Sequence, residues 1–175
     1  MDIFSQLINN KSNSLNFLDL PALKTVGSYD LSSKVTSVIL PAEHNMLCMY
    51  SLKNETTSAA SFVINFSNDG GSTFLTGIAN HRRAVANASY SSGFGTNSDS
   101  MTFGTTYNSG NMGGFFFITK NKINSTSQLF SIFFPDDTVN VTFTIVGGRV
   151  STTFNSFKLS TTAQFSGNIQ LYQFS

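Results

Sequence analysis

The sequence predicts an all-β fold, an antiparallel sandwich or barrel of eight to ten short strands behind a short N-terminal arm or helix. Three observations predict it. Apolar residues alternate with Ser, Thr and Asn over short runs, as in Val139-Asn140-Val141-Thr142-Phe143-Thr144-Ile145. Turn-forming clusters separate those runs. Charged residues make up only 11% of the 175 residues, so long charged helices and coiled coils lack their raw material.

The elements follow in order. In residues 1–20, Ile3, Phe4, Leu7 and Ile8 fall at helical spacing, Asn9 and Asn10 interrupt, and Leu15, Phe17, Leu18 and Leu20 lead to Pro21. A helix of about two turns is marginal in water alone, so this arm needs a surface, its own domain's or a neighbour's. Residues 21–175 read as one β domain. Strands are expected at 35–40, 46–52, 61–66, 113–119, 128–134, 139–146, 153–159 and 168–174, with a weaker one near 101–106. Asn68-Asp69-Gly70-Gly71 supplies the positive φ values of a tight hairpin, and Pro135-Asp136-Asp137 and Gly147-Gly148-Arg149 read as two further turns. Residues 89–114, rich in Gly, Ser, Thr and Asn, read as long loops anchored by Tyr90, Phe94, Phe103 and Tyr107. The expected core includes Phe62, Ile64, Phe66, Phe117, Phe133, Val141, Phe143, Ile145, Phe157, Leu159, Ile169 and Leu171. Phe115-Phe116-Phe117 and Phe133-Phe134 place rings on both faces of their strands, so the surplus is expected under loops or against another subunit.

Composition narrows the function. A net charge of +1 offers nothing to drive counterion release, so nucleic acid is not an expected partner. No apolar run reaches the roughly 18 residues of a membrane span. Residues 1–4 lack a basic and apolar leader, so synthesis in a cytoplasm without a signal peptide is expected. The single cysteine, Cys48, excludes an intrachain disulfide and sits in an apolar run, where a thiol behaves as a small hydrophobe. His44 and His81 have no His or Cys partner at metal-binding spacing, so neither a metal nor another cofactor is expected. His81-Arg82-Arg83, the one basic cluster, reads first as a solvated turn and otherwise as a contact for a phosphate, a carboxylate or a neighbouring subunit. No nucleophile motif occurs, and most of the nine acids fall at turn positions, so an enzyme is not expected. Ser 26, Thr 19 and Asn 18 give a neutral, hydroxyl-rich surface suited to packing against a copy of itself or a glycan.

Two segments carry a resemblance. Ile64-Asn65-Phe66-Ser67-Asn68-Asp69-Gly70-Gly71-Ser72-Thr73-Phe74, and Phe154-Asn155-Ser156-Phe157-Lys158-Leu159 leading to Gly167-Asn168-Ile169-Gln170-Leu171-Tyr172-Gln173-Phe174, resemble small jelly-roll domains of tailed-bacteriophage virion proteins. The pattern spans residues 23–175 and departs at Gln173-Phe174, where Gly-apolar is expected. The resemblance implies a jelly-roll β-sandwich in a virion. It implies head decoration, a head fibre or a tail module on the particle exterior, assembled as a homo-oligomer, often a trimer. It transfers no catalytic or binding residue. Docking on capsid or tail proteins is expected through Ile3, Phe4, Leu7, Ile8, Leu15, Phe17 and Leu18. The alternative is a receptor-recognition module whose glycan contacts are Tyr90, Phe94 and Tyr107.

Because no structural metal is expected, a chelator leaves the melting temperature unchanged. A drop of many degrees in a thermal scan with chelator would overturn this.

Overall fold

In a computed structural model of the chain, residues 23–43, 45–77, 79–86, 91–106, 109–121, 126–136 and 143–174 are described. For 79–86, 91–97, 103–104, 121, 130–136 and 143–144 the description is of the backbone alone. The arm at 1–20 lies outside the described residues, as do Val141 and the side chains of Phe133 and Phe143.

Eleven strands follow in sequence: β1 (Leu23–Asp30), β2 (Val35–Pro41), β3 (Met46–Asn54), β4 (Ala60–Ser67), β5 (Ala79–Ala86), β6 (Ser91–Ser98), β7 (Met101–Thr106), β8 (Asn111–Asn121), β9 (Thr126–Asp136), β10 (Phe143–Val150) and β11 (Ser156–Phe174). Among the described residues there is no helix, and every strand pairing is antiparallel. Hydrogen bonding is continuous in the order β6-β5-β10-β9-β8-β3-β11-β4-β7, with β1 and β2 also on β11. The sheet is nearly closed into a barrel, and β7 comes up against β9, β10 and β5.

Strand β11 is the spine. Its first part pairs with β2 and β4, between Ser156 and Thr161, and its second part pairs with β1 and β3, between Phe165 and Phe174. The β2 register shifts between Ser160 and Phe165, so one strand of 19 residues serves two differently directed stretches of sheet. In both stretches of β11 the large inward side chains are odd-numbered: Phe157, Leu159, Phe165, Ile169 and Leu171 are fully buried. Strand β3 alternates the same way, with Met46, Cys48, Tyr50, Leu52 and Asn54 in and Met49, Ser51 and Lys53 out.

The core is aromatic and draws from strands far apart in the sheet. Phe116 of β8 meets Phe157 of β11 edge to face at 5.3 Å, and Phe62 of β4 meets Phe165 in the same manner at 5.5 Å. Phe66 packs on Phe154 at 4.7 Å. Such tilted and edge-on pairs suit the ring quadrupoles and add to the area buried. Of the core predicted from sequence, Phe62, Ile64, Phe66, Phe157, Leu159, Ile169 and Leu171 are buried. Phe117 and Ile145 are only half-buried, because Phe116 and Val146 hold the inward positions of their strands.

Several sequence expectations are corrected. The described residues form eleven strands, against the eight to ten expected. The strands expected at 153–159 and 168–174 fall on one strand, which begins at Ser156, because Ser160 to Gly167 stays extended in spite of its polarity. Gly147-Gly148-Arg149 is no turn; it lies within β10, paired on both sides. His81-Arg82-Arg83 is no turn either; it lies within β5, and Arg82 pairs with Gly147 of β10 and Phe94 of β6. Residues 91–98, read as loop, form β6. These polar and glycine-rich strands exist because their neighbours offer a hydrogen-bonding ladder, which outweighs weak local propensity. Asn68–Gly71 does turn the chain, with Gly70 at φ 75° and Gly71 at φ 96°, but it joins β4 to β5, which do not pair.

Gly167 marks the tightest backbone approach. Its φ is +126°, and a Cβ there would stand 2.2 Å from the Ser51 carbonyl oxygen. No side chain fits between β11 and β3 at this point. Gly147 has open space where its Cβ would be. Gly167→Ala therefore lowers the denaturation midpoint, whereas Gly147→Ala leaves it unchanged or raises stability by about 0.5–1 kcal/mol. Phe157→Ala costs about 3–5 kcal/mol in a urea titration that reads the same kind of midpoint. Equal effects of the two glycine variants would overturn the packing argument.

Candidate functional site

The side of the sheet opposite the core carries an apolar row. Outward positions of β3, β8 and β11 bring together Leu47, Met49, Phe115, Phe117, Tyr172 and Phe174. The register sets Met49 between Gln170 and Phe115, and Leu47 between Tyr172 and Phe117. Phe115 and Phe117 meet edge to face at 5.4 Å, and Phe117 stacks on Phe174 at 5.9 Å. Met49 is 46% exposed, and the other five are half-buried. A shallow groove of about 430 Å³ crosses this face, lined by Met49, Tyr50, Ser51, Gly114, Phe115, Asn168 and Gln170. Gln170 accepts a hydrogen bond from the Tyr172 hydroxyl at 2.6 Å, which leaves its amide NH₂ as a donor at the groove. Among the described residues no carboxylate or ammonium lines the groove, so what they offer is apolar contact and neutral hydrogen bonding.

Beside this face lies β1, an edge strand. Leu23 pairs with Phe174, and the strand bulges between Thr25 and Gly27. Leu23 is 51% exposed and Val26 43% exposed, so this strand shows apolar side chains to solvent at the point where residues 1–22 join the domain.

The carboxylates with shifted pKa values hold turns together. Asp69 Oδ1 accepts from Ser67 Oγ at 2.6 Å and Thr73 N at 2.9 Å, and its Oδ2 accepts from Thr73 Oγ1 at 2.7 Å. Ser67 Oγ in turn accepts from Gly71 N at 2.9 Å, and Asn155 Oδ1 accepts from Gly70 N at 3.1 Å. The hydroxyls of Ser67 and then Thr73 hold the Asp69 carboxyl well below the usual range. Glu55 Oε1 accepts from Ser166 Oγ at 2.6 Å, while Lys34 stands 3.1 Å and Lys53 3.4 Å from the carboxylate. The Ser166 bond first, and Lys34 second, lower its pKa to about 2. Both acids are held ionised, which suits a structural clasp and opposes proton donation near neutral pH. Next to Glu55, Asn54 is fully buried and spans its own turn, accepting from Thr56 N and donating to the Ser58 carbonyl.

Cys48 is free and 1% exposed, and burial pushes its thiol up, so it is not a nucleophile. Lys120 donates to the Phe154 carbonyl, with its ammonium 4.7 Å from the centre of that ring, and burial lowers its pKa. No group of three or more His, Cys, Asp and Glu side chains able to hold a metal occurs among the described residues. No helix among them is long and apolar enough to cross a membrane.

Of the residues singled out from sequence, Ile3, Phe4, Leu7, Ile8, Leu15, Phe17 and Leu18 lie outside the described residues, with Tyr90, Tyr107 and His44. Phe94 and His81 are placed by backbone only, in β6 and β5. The outward row of Leu47, Met49, Phe115 and Phe117 was half legible. Rings on both faces of Phe115–Phe117 signalled a covered second face, but nothing in sequence said that β3 and the end of β11 would flank it. No known protein family matches the chain, and no curated protein or solved structure does either.

The two clasps set an acid limb of stability. A carboxyl whose folded pKa is depressed contributes stability above its unfolded pKa and loses it as pH falls through the folded value. For Glu55 that window runs from its ordinary 4.5 down to about 2. Melting temperature therefore falls as pH drops below about 5, and Glu55→Gln and Asp69→Asn each flatten that fall. Parallel acid limbs in wild type and both variants would overturn the assignment.

Proposed function

We propose that this chain is a non-enzymatic structural protein of a bacteriophage virion, a jelly-roll module on the particle exterior, as capsid decoration, head fibre or tail component. On this reading it assembles as a homo-oligomer, most simply a cyclic trimer, and docks on capsid or tail proteins through residues 1–20. The observation that carries the reading is the entry of that apolar segment into the domain. In sequence it leads into β1, an edge strand with exposed Leu23 and Val26, so exposed apolar side chains lie where the chain enters the domain. Open apolar edges invite pairing with another chain, and large exposed apolar patches mark partner surfaces. The resemblance of residues 64–74 and 154–174 to virion jelly-roll domains supplies the setting.

The groove beside Phe115 favours a second reading, recognition of a host-surface glycan. An aromatic ring with Ser51, Asn168 and Gln170 around it offers a stacking surface and neutral hydrogen-bonding groups of the kind a saccharide uses. A glycan array separates the two: retention on neutral glycans supports the second reading.

Sedimentation with purified particles of the encoding phage tests the first. Full-length protein co-sediments, and protein lacking residues 1–20 stays folded by circular dichroism but remains in the supernatant. Unfolding on truncation, or co-sedimentation of the truncated form, would overturn docking through the arm.

A further inference from the structure

The outward row on β3, β8 and β11 has a definite occupant: we propose that residues 1–20 of one copy of this chain pack on the Leu47–Met49–Phe115–Phe117 face of the next copy. The inference rests on the homo-oligomeric reading above and assigns the arm's apolar side chains to a neighbouring copy, so that particle docking depends on residues 1–20 through the oligomer they hold together. Three observations carry it.

The first is position. The chain joins β1 at Leu23, whose register partner is Phe174, and Phe174 stacks on Phe117. The 22 residues before Leu23 thus start from the rim of this row. Fully extended they span at most about 70–80 Å, enough to cross to a neighbouring subunit.

The second is direction. Pro21 favours an extended Leu20. An extended continuation of β1 runs past Phe174 and off the end of its own sheet. Covering its own Met49 and Phe115 would require the chain to reverse and run back along β3. A neighbouring copy presents the same row without that reversal.

The third is chemistry. The face offers Leu47, Met49, Phe115, Phe117 and Phe174 with no ionised group among them. The arm offers Ile3, Phe4, Leu7, Ile8, Leu15, Phe17 and Leu18, with Asp2, Lys11 and Asp19 as its only charged side chains. Two apolar surfaces with little charge to desolvate pack together readily, and a head-to-tail exchange of arms closes into a ring when the rotation allows.

Cross-linking of the full chain tests the exchange. Met49 is exposed, whereas the native Cys48 is buried, so an introduced thiol at 49 reports alone. Met49→Cys protein is mixed with Leu7→Cys or Leu15→Cys protein and oxidised mildly. Because each variant carries its new thiol on a separate chain, a 49-to-arm disulfide can form only between copies. The expected result is a covalent heterodimer from at least one mixture, and none when Ser58→Cys, an exposed turn position, replaces Met49→Cys. In parallel, removal of residues 1–20 and the full-length variant Met49→Glu each convert the oligomer to monomer in sedimentation velocity, with circular dichroism of the folded chain retained.

No cross-link in either mixture, or an oligomer unchanged by the truncation, would overturn the inference. So would a double variant, Leu15→Cys with Met49→Cys, that forms only an intrachain disulfide. If Met49→Glu leaves the oligomer intact but abolishes retention on a glycan array, the face is a receptor surface and the arm docks elsewhere. Particle co-sedimentation is scored separately. An arm-exchanged oligomer that ignores particles defeats the virion reading alone, and a particle-bound monomer defeats the exchange alone.

Discussion

The geometry of this domain depends on one backbone contact, the passage of β11 against β3 at Gly167. The Ser51 carbonyl occupies the space any side chain at 167 would need, and the φ of +126° is open only to glycine at low cost. Just before it, the β2 register shifts between Ser160 and Phe165, so β11 changes partners from β2 and β4 to β1 and β3. The redirection lets a single sheet cover itself. Phe157 on the first stretch then reaches Phe116 of β8, which is separated from it in the hydrogen-bonding order by β3. A core built from rings on both stretches of β11 holds the bend, and the bend brings those rings together. Neither is stable without the other.

How legible the fold was in the sequence depended on where each strand finds its partners. Strands β3, β4 and β8 announce themselves because one face is apolar and buried, and the alternation of Phe62, Ile64 and Phe66 is read directly as burial. Strands β5 and β6 do not. Their sequences, Ala79–Ala86 and Ser91–Ser98, hold a basic cluster, three serines and two glycines, and they are strands because β10 offers a ladder to β5 and β5 to β6. The middle of β11 was missed for a related reason. Ser160-Thr161-Thr162-Ala163-Gln164 resembles a loop in composition, yet it stays extended, with Ser160 and Thr161 paired to β4 and the Gln164 carbonyl accepting from Glu55 N. Pairing across the sheet is a property of the fold, and a local window of sequence does not contain it.

The site divides in the same way. That Phe115, Phe116 and Phe117 cannot all point inward follows from the period of a strand, so a second apolar face was readable. Which residues share that face was not, because Met49 and Phe174 join it through registers between distant segments. The acids show the converse. Asp69 looked like a turn residue and is one, but its clasp by Ser67 and Thr73 depends on a closed loop geometry that Gly70 and Gly71 permit with their positive φ. Glu55 gave no sequence signal at all, since Ser166 reaches it from 111 positions away.

The scarcity of charge ties these features together. Both described ion pairs converge on Glu55, so they brace one end of the β3–β11 seam and leave the sheet face to neutral groups. Exposed ion pairs contribute little to stability, and a chain with 11% charged residues cannot depend on them. Hydroxyls carry the load: Ser67 and Thr73 on Asp69, Ser166 on Glu55, and Ser61 beside Thr105 at 3.3 Å between β4 and β7. A surface of that kind has little self-repulsion to keep copies apart. The edge strand β1 adds to this with exposed Leu23 and Val26, while Lys24 and the bulge before Gly27 are the devices that discourage uncontrolled edge pairing. A domain so composed tolerates close packing against its own kind, provided one specific contact sets the geometry before the edges do.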